Sequence, residues 1–242
     1  MKLLVRGLEQ ICNADKTAAS LVKARLPEIT GTLDRYIDEI ERFNSAYGLV
    51  KVTGRDELIV KHVLDSLAPL GHIARLLEKE TPIDSQFISL AGKTLADLGS
   101  GAGFPGIPLA VCMPQLKVVL IERMRRRADF LRNTAAVLKS AVSGSNLVNV
   151  AVEETELERV SGAFDLVTFR ALSPLAPAFV SVLARFCKSS HGSLKNGVIA
   201  AYKGKYETAS AELEGLAAYT TELVPLEVPF LDEERCLALI RV

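Results

Sequence analysis

The chain has 242 residues, 49% of them apolar and 24% charged, with 29 basic and 29 acidic side chains and no net charge. That length and balance fit one globular α/β body with an appendage and exclude a disordered or fibrous chain. A neutral molecule has no overall field to gather an acidic polymer, so any nucleic-acid surface has to be local. No run of about 18 apolar residues occurs, and the charges at Lys2, Arg6, Glu9, Asp15 and Lys16 interrupt any leader core. The expectation is a cytoplasmic protein with no membrane partner, taken as a monomer by default. Cys12, Cys112, Cys187 and Cys236 stand far apart among apolar neighbours and form no C-x-x-C, which predicts buried thiols rather than metal ligands or disulfides.

From Leu3 to about Leu77 apolar residues recur at helical spacing, for example Leu33, Ile37, Ile40 and then Val60, Val63, Leu64, Leu67, so residues 1–90 read as a helical N-terminal extension. From 91 to 242 short apolar runs alternate with longer helical ones, the pattern of βαβ units around a parallel sheet with helices on both faces. The predicted strands are Thr94–Leu98, Lys117–Ile121, Asn146–Val152, Phe164–Phe169 and Gly197–Tyr202, followed by Thr221–Val228 and Cys236–Val242. The predicted helices between them begin near Pro105 and run over Met124–Lys139, Leu175–Phe186 and Tyr206–Ala217, with a polar loop at Lys188–Asn196.

Between the first strand and its helix lies Asp97-Leu98-Gly99-Ser100-Gly101-Ala102-Gly103-Phe104-Pro105-Gly106, where glycines let the backbone approach a ligand. Gly101-x-Gly103-x-x-Gly106 fits either a dinucleotide or an adenosyl cofactor. Asp97 favours S-adenosylmethionine, because a carboxylate there pairs with the ammonium of the methionine part and repels a pyrophosphate. Glu122 ends the second strand, where an acid accepts hydrogen bonds from ribose hydroxyls with either cofactor. Val152 and Glu153, after the third strand, are the candidates for the adenine ring, with Glu153 accepting from its exocyclic amine.

Arg123, Arg125, Arg126, Arg127 and Arg132 crowd one short stretch and suit phosphate contacts, which makes RNA the candidate partner and Arg126 and Arg127 its first contacts. Arg170 directly follows the fourth strand, at the carboxyl end where open α/β sheets bind ligands; Lys203 holds the matching place after the fifth and faces the substrate side. His62, Asp65 and Ser66 share one helix face by their spacing and are expected to form a polar knot against the glycine loop.

The ordered set Arg42-Phe43-Asn44-x-x-Tyr47, His62-x-Leu64-Asp65-Ser66, Asp97-x-Gly99-x-Gly101-x-Gly103-x-Pro105-Gly106-Ile107-Pro108, Phe130-Leu131-Arg132, Arg170-Ala171, Lys203-Gly204 and Leu231-Asp232-x-Glu234-Arg235 resembles the ribosomal RNA small subunit methyltransferase G family, also called glucose-inhibited division protein B. The likeness runs from about Leu33 to the C-terminus. It implies a class I S-adenosylmethionine-dependent methyltransferase fold and methylation of N7 of a guanine in the decoding-region stem-loop of 16S rRNA, as naked RNA, in the 30S subunit or in an assembly intermediate. It also implies that Gly99, Phe104, Val152, Glu153 and Arg170 line the cofactor site. Gly48, Val50, Glu122 and Ala151 depart from the asparagine, threonine, aspartate and arginine usual in the family.

Guanine N7 carries an in-plane lone pair and no proton, so it needs no general base, and positioning is most of catalysis. The chain has neither the D/N-P-P-Y motif of exocyclic-amine methyltransferases nor the Pro-Cys pair of pyrimidine C5 enzymes. A methyltransferase of another RNA, a protein or a small molecule remains the alternative, as does a catalytically silent ribosome-binding module; a protein or small-molecule substrate leaves the arginine cluster idle, and the silent module predicts weak cofactor affinity.

Overall fold

A computed structural model describes residues 1–78, 89–140, 149–187 and 197–242. Helices fill the first part: α1 (Lys2–Ala14), α2 (Lys16–Val22), α3 (Leu26–Tyr47), α4 (residues 55–67) and α5 (Leu70–Leu77). Asp15 starts α2 by accepting from the amides of Thr17 and Ala18 at 2.8 and 3.1 Å, an N-cap that satisfies two orphan donors. Pro27 in its first turn starts α3, and Gly48 ends it at φ +59°; Leu33, Tyr36, Ile37 and Ile40 form its buried stripe. In α4 the middle, Ile59–Leu64, is π-wound, a distortion common at functional sites.

The sheet then alternates with helices: β1 (Thr94–Leu98), α6 (Gly106–Cys112), β2 (Lys117–Glu122), α7 (Arg125–Ser140), β3 (Val150–Glu154), β4 (Leu166–Arg170), α8 (Pro177–Ala184), β5 (Val198–Lys203), α9 (Tyr206–Glu214), β6 (Thr220–Leu226) and β7 (Arg235–Arg241). The strand order is β3-β2-β1-β4-β5-β7-β6. β1 to β5 pair in parallel, and β7 runs antiparallel to both β5 and β6. Alternate strand residues face opposite layers: Leu95, Val118, Leu120, Leu166 and Ala200 join one core with α1 to α7, while Ala96, Val119, Val167, Ile199 and Ala201 join the other with α8 and α9. The N-terminal helices therefore share one continuous core with a face of the sheet. All four cysteines are buried and unpaired.

Chain order reverses between β1 and β4, which opens a crevice at their carboxyl ends. β1 has its predicted bounds; β2, β5, β6 and β7 end within one or two residues of theirs, and β3 and β4 are shifted. Glu153 and Glu154, expected just beyond the third strand, lie within β3, in register with Ile121 and Glu122. Phe164 makes only an isolated bridge to Cys187, because Asp165 turns to accept from Thr94 N at 2.8 Å before β4 begins. The predicted start of the third strand at residues 146–148 and the polar loop 188–196 lie outside the described residues. Among the described residues no helix is long and apolar enough to cross a membrane.

Candidate active site

At the end of β1 the chain folds over β2: the amides of Gly99 and Ser100 both donate to Ile121 O, at 2.8 and 3.1 Å. Gly99 has φ +66°, and a Cβ there would stand 2.8 Å from Leu172 Cδ1, so the turn and the close approach both require glycine. Asp97 is fully buried beneath the loop. Its Oδ2 accepts from Gly106 N at 3.0 Å, and its Oδ1 has no partner among the described residues. Burial pushes this carboxyl up to about 7, because water no longer stabilises the charge. Glu122 is also buried; one carboxylate oxygen accepts from Gly101 N at 2.9 Å and the other from Met124 N at 2.8 Å. Each oxygen keeps a further lone pair, so Glu122 can brace the loop and still receive a hydroxyl.

A cavity of about 590 Å³ opens above this loop, with Gly99, Glu122, Arg127, Glu156, Arg170 and Leu172 among its walls. Of the residues predicted for a cofactor, Gly99, Glu122 and Arg170 reach it. Asp97, Gly101, Gly103 and Phe104 stand behind it, and the wall on the β3 side comes from residues 155–158 rather than from Val152 and Glu153, which are half-buried in β3. Arg127 and Arg126, read together as phosphate contacts, part company. Arg127 is a half-buried wall residue that donates from Nη2 to Gly48 O at 3.3 Å, whereas Arg126 is exposed.

Arg170 is also a wall of a second cavity, of about 520 Å³, with His62, Asp65, Lys203 and Arg235. The expected knot on α4 is there, and Arg170 is its centre. Arg170 Nη1 donates to Asp65 Oδ2 at 2.9 Å and to Lys61 O at 3.1 Å, and Nη2 meets His62 Nδ1. An arginine only donates, so His62 Nδ1 accepts and the ring proton sits on Nε2. Burial, seconded by Arg170, pushes His62 down to about 3, which keeps the ring neutral. Phe104 joins the knot to the glycine loop: the His62 ring stacks on it at 5.1 Å, Arg170 lies over it at 5.3 Å, and Tyr36 packs beside it at 5.3 Å. Burial raises the Asp65 carboxyl, and Arg170 and Arg235 pull it back. Ala171, at φ +52°, takes a strained left-handed turn of a kind that clusters at functional sites and separates Arg170 from Leu172.

The model of the rRNA small subunit methyltransferase G family, GidB, matches residues 29–238. The chain belongs to this family. It is 34% identical to the ribosomal RNA small subunit methyltransferase G of Treponema denticola over 98% of this chain and 93% of that one, and 34% identical to that of Treponema pallidum (strain Nichols) over 92% and 90%. The Xanthomonas euvesicatoria pv. vesicatoria member is 35% identical over 86% and 84%. In fold, it is similar to magnesium protoporphyrin IX methyltransferase from Synechocystis PCC 6803 with bound SAM, at TM-score 0.52 and 17% identity over 84% of this chain and 91% of that one. The fold is that of class I methyltransferases.

Three contacts of this methyltransferase G site escape sequence reasoning. Arg235 Nε donates to Asp65 Oδ1 at 3.2 Å across 170 positions, Tyr202 OH donates to Ser66 O at 2.8 Å, and Tyr36 OH donates to Ala102 O at 2.8 Å. Asp65, Ser66 and Arg235 stand in motifs that the sequence shows, but none of the three pairings is visible there. Lys203 is tied to Glu212 at 2.5 Å and reaches Ser173 O at 3.4 Å.

Proposed function

We propose that the chain transfers a methyl group from S-adenosylmethionine to N7 of a guanine in the decoding-region stem-loop of 16S rRNA, in the cytoplasm where that RNA is found. Membership of the methyltransferase G family over residues 29–238 carries this reading. The residues fit the cofactor: Asp97 Oδ1 is a buried acceptor without a partner, the right chemistry for an ammonium group, and Glu122 keeps lone pairs for ribose hydroxyls at the cavity wall. Gly99, Gly101, Gly103 and Phe104 shape the loop over which it lies, and Val152 and Glu153 support the adenine side from β3. Bound there, the cofactor supplies an electrophilic methyl group on a sulfonium.

The chain's own part is positional. Arg170 stands between the cavities, pinned by Asp65, Lys61 O and His62, and guides the base edge towards the methyl group. Asp97 and Glu122 would hold the cofactor so that its methyl group is offered to the unprotonated N7 lone pair, with S-adenosylhomocysteine as the leaving group and the positive charge left on the purine. No proton moves at N7, which agrees with a site whose histidine is neutral and engaged. The exposed Arg126 contacts RNA phosphates, and the helices of residues 1–90 supply α4 as the RNA-side wall of 91–242. Mapping N7-methylguanine in 16S rRNA from cells with and without this gene tests the reading; the same modification in both would overturn it.

A further inference from the structure

Among its described walls, the second cavity sets five cationic side chains against a single carboxylate. Lys51, Lys61, Arg170, Lys203 and Arg235 face it, and its one carboxylate, Asp65, is already engaged by Arg170 and Arg235. We propose that this cavity receives the target purine and that Lys203 reads position 6 of the ring, accepting a 6-oxo purine and rejecting a 6-amino one. The proposal rests on the guanine-N7 reading, because O6 lies beside N7 on the same edge and a donor next to the reacting nitrogen meets O6 first.

Arg170 is the obvious reader of that edge, and the reaction disqualifies it. Its Nη1 serves Asp65 and Lys61 O, and its Nη2 serves His62. Two of its five N–H groups, on Nε and Nη2, stay available, but closing them on O6 and N7 together, the commonest arginine contact with guanine, would occupy the lone pair that has to attack. Lys203 suits the task. It follows Tyr202, which is in register with Arg170 across β4 and β5, so it stands beside the passage between the cavities. Glu212 and Ser173 O hold the ammonium in place, and these leave one of its three N–H groups to donate. An adenine-like 6-amine would set donor against donor, while the 2-amine lies on the other side of the ring and goes unread.

The test uses 16S rRNA ligated to carry guanosine, inosine or 2,6-diaminopurine riboside at the acceptor position, free and assembled into 30S subunits, in single-turnover methylation. Wild-type protein should methylate inosine within about threefold of guanosine and diaminopurine at least about tenfold more slowly. Lys203→Gln offers a carbonyl to the 6-amine, so the gap between guanosine and diaminopurine should close to within about threefold. Lys203→Met, which offers nothing, should slow guanosine and leave diaminopurine unchanged, with melting temperature as the check on folding. Inosine as slow as diaminopurine would assign recognition to the 2-amine and overturn the proposal. An equal slowing of all three purines by Lys203→Gln would also overturn it, leaving the lysine a backbone contact or a support for Glu212. Absence of transfer to guanosine by wild-type protein on both substrate forms would instead sink the functional reading beneath it.

Discussion

The cavity above the glycine loop mixes backbone and acids, at Gly99 after β1, Glu122 at the end of β2 and Glu156 and Glu158 beyond β3, with Arg123, Arg127 and Arg170, whereas the cavity beyond Arg170 sets long cationic side chains from five separate segments, at Lys51, Lys61, Arg170, Lys203 and Arg235, against the single carboxylate of Asp65. The first is set once β1 and β2 pair and the loop amides find Ile121 O. The second exists only after α4, β4, β5 and β7 have all docked. On the proposed assignment, the cofactor's ammonium and ribose meet acids and a fixed backbone in the first, and the target base meets donors held by ion pairs in the second. Substitutions in the two cavities should fail in correspondingly different ways.

The largest effect is expected at Asp97 on the cofactor side. Its folded-state pKa lies above the unfolded one, so the stability it contributes is complete below about pH 4 and is lost as pH rises through about 7. At pH 8 the buried charge, with Oδ1 left without a partner among the described residues, destabilises the cofactor-free protein by up to about 4 kcal/mol. Asp97→Asn should therefore raise the melting temperature progressively more between pH 4 and pH 8, while weakening S-adenosylmethionine binding by about 1.5 to 3 kcal/mol through loss of a charged hydrogen bond. Calorimetry and thermal melts across that range read both; a mutant with unchanged affinity would remove Asp97 from the cofactor.

On the other side, Asp65→Ala leaves Arg170 and Arg235 facing each other without their shared carboxylate, which should lower stability by about 3 kcal/mol in urea denaturation. Cofactor affinity should change much less, since Asp65 touches only the second cavity. Equal damage to both properties would mean that the two cavities are one cooperative unit.

Arg170 belongs to both. Arg170→Lys keeps the charge and loses the planar fork, so it cannot hold Asp65, Lys61 O and His62 together. Single-turnover methyl transfer should fall at least about tenfold, or about 1.4 kcal/mol of barrier, with binding and product release excluded by the design. A wild-type rate would reduce Arg170 to a packing residue.

The same contrast explains what was legible beforehand. β1 was read to the residue and β2 within one, because buried parallel strands are short apolar runs bounded by turn signals. The glycine loop was legible because a positive φ and close packing constrain residue type locally, and Asp97 and Glu122 lie within 25 positions of it. The helix face of His62, Asp65 and Ser66 was legible by spacing, but not what it meets: Arg170 and Arg235 lie 105 and 170 positions from Asp65, and no local pattern encodes such a pairing. β3 was displaced because Glu153 and Glu154 look like strand-ending charges, yet they complete an outer strand of the sheet.

The smallest effect concerns the arginine cluster, where the sequence treated Arg126 and Arg127 alike and the structure separates them. Arg126 is exposed, with no ion-pair partner among the described residues, while Arg132 is held by Asp129 and Glu154 at 2.9 and 3.0 Å. A free guanidinium that contacts one phosphate of single-stranded RNA releases its counterions, so Arg126→Ala should flatten the logarithmic salt dependence of RNA binding by about 0.7. At moderate salt the lost affinity should be about 1 kcal/mol or less, and cofactor binding should stay as it was. Arg127→Ala should instead disturb cofactor binding, because that side chain lines the first cavity and joins it to the turn at Gly48. Measuring RNA binding over a salt series together with cofactor calorimetry for each single mutant separates the two roles. If Arg126→Ala leaves the salt slope unchanged while Arg127→Ala alters it, the RNA path runs over the cavity mouth and not along the outer face of α7.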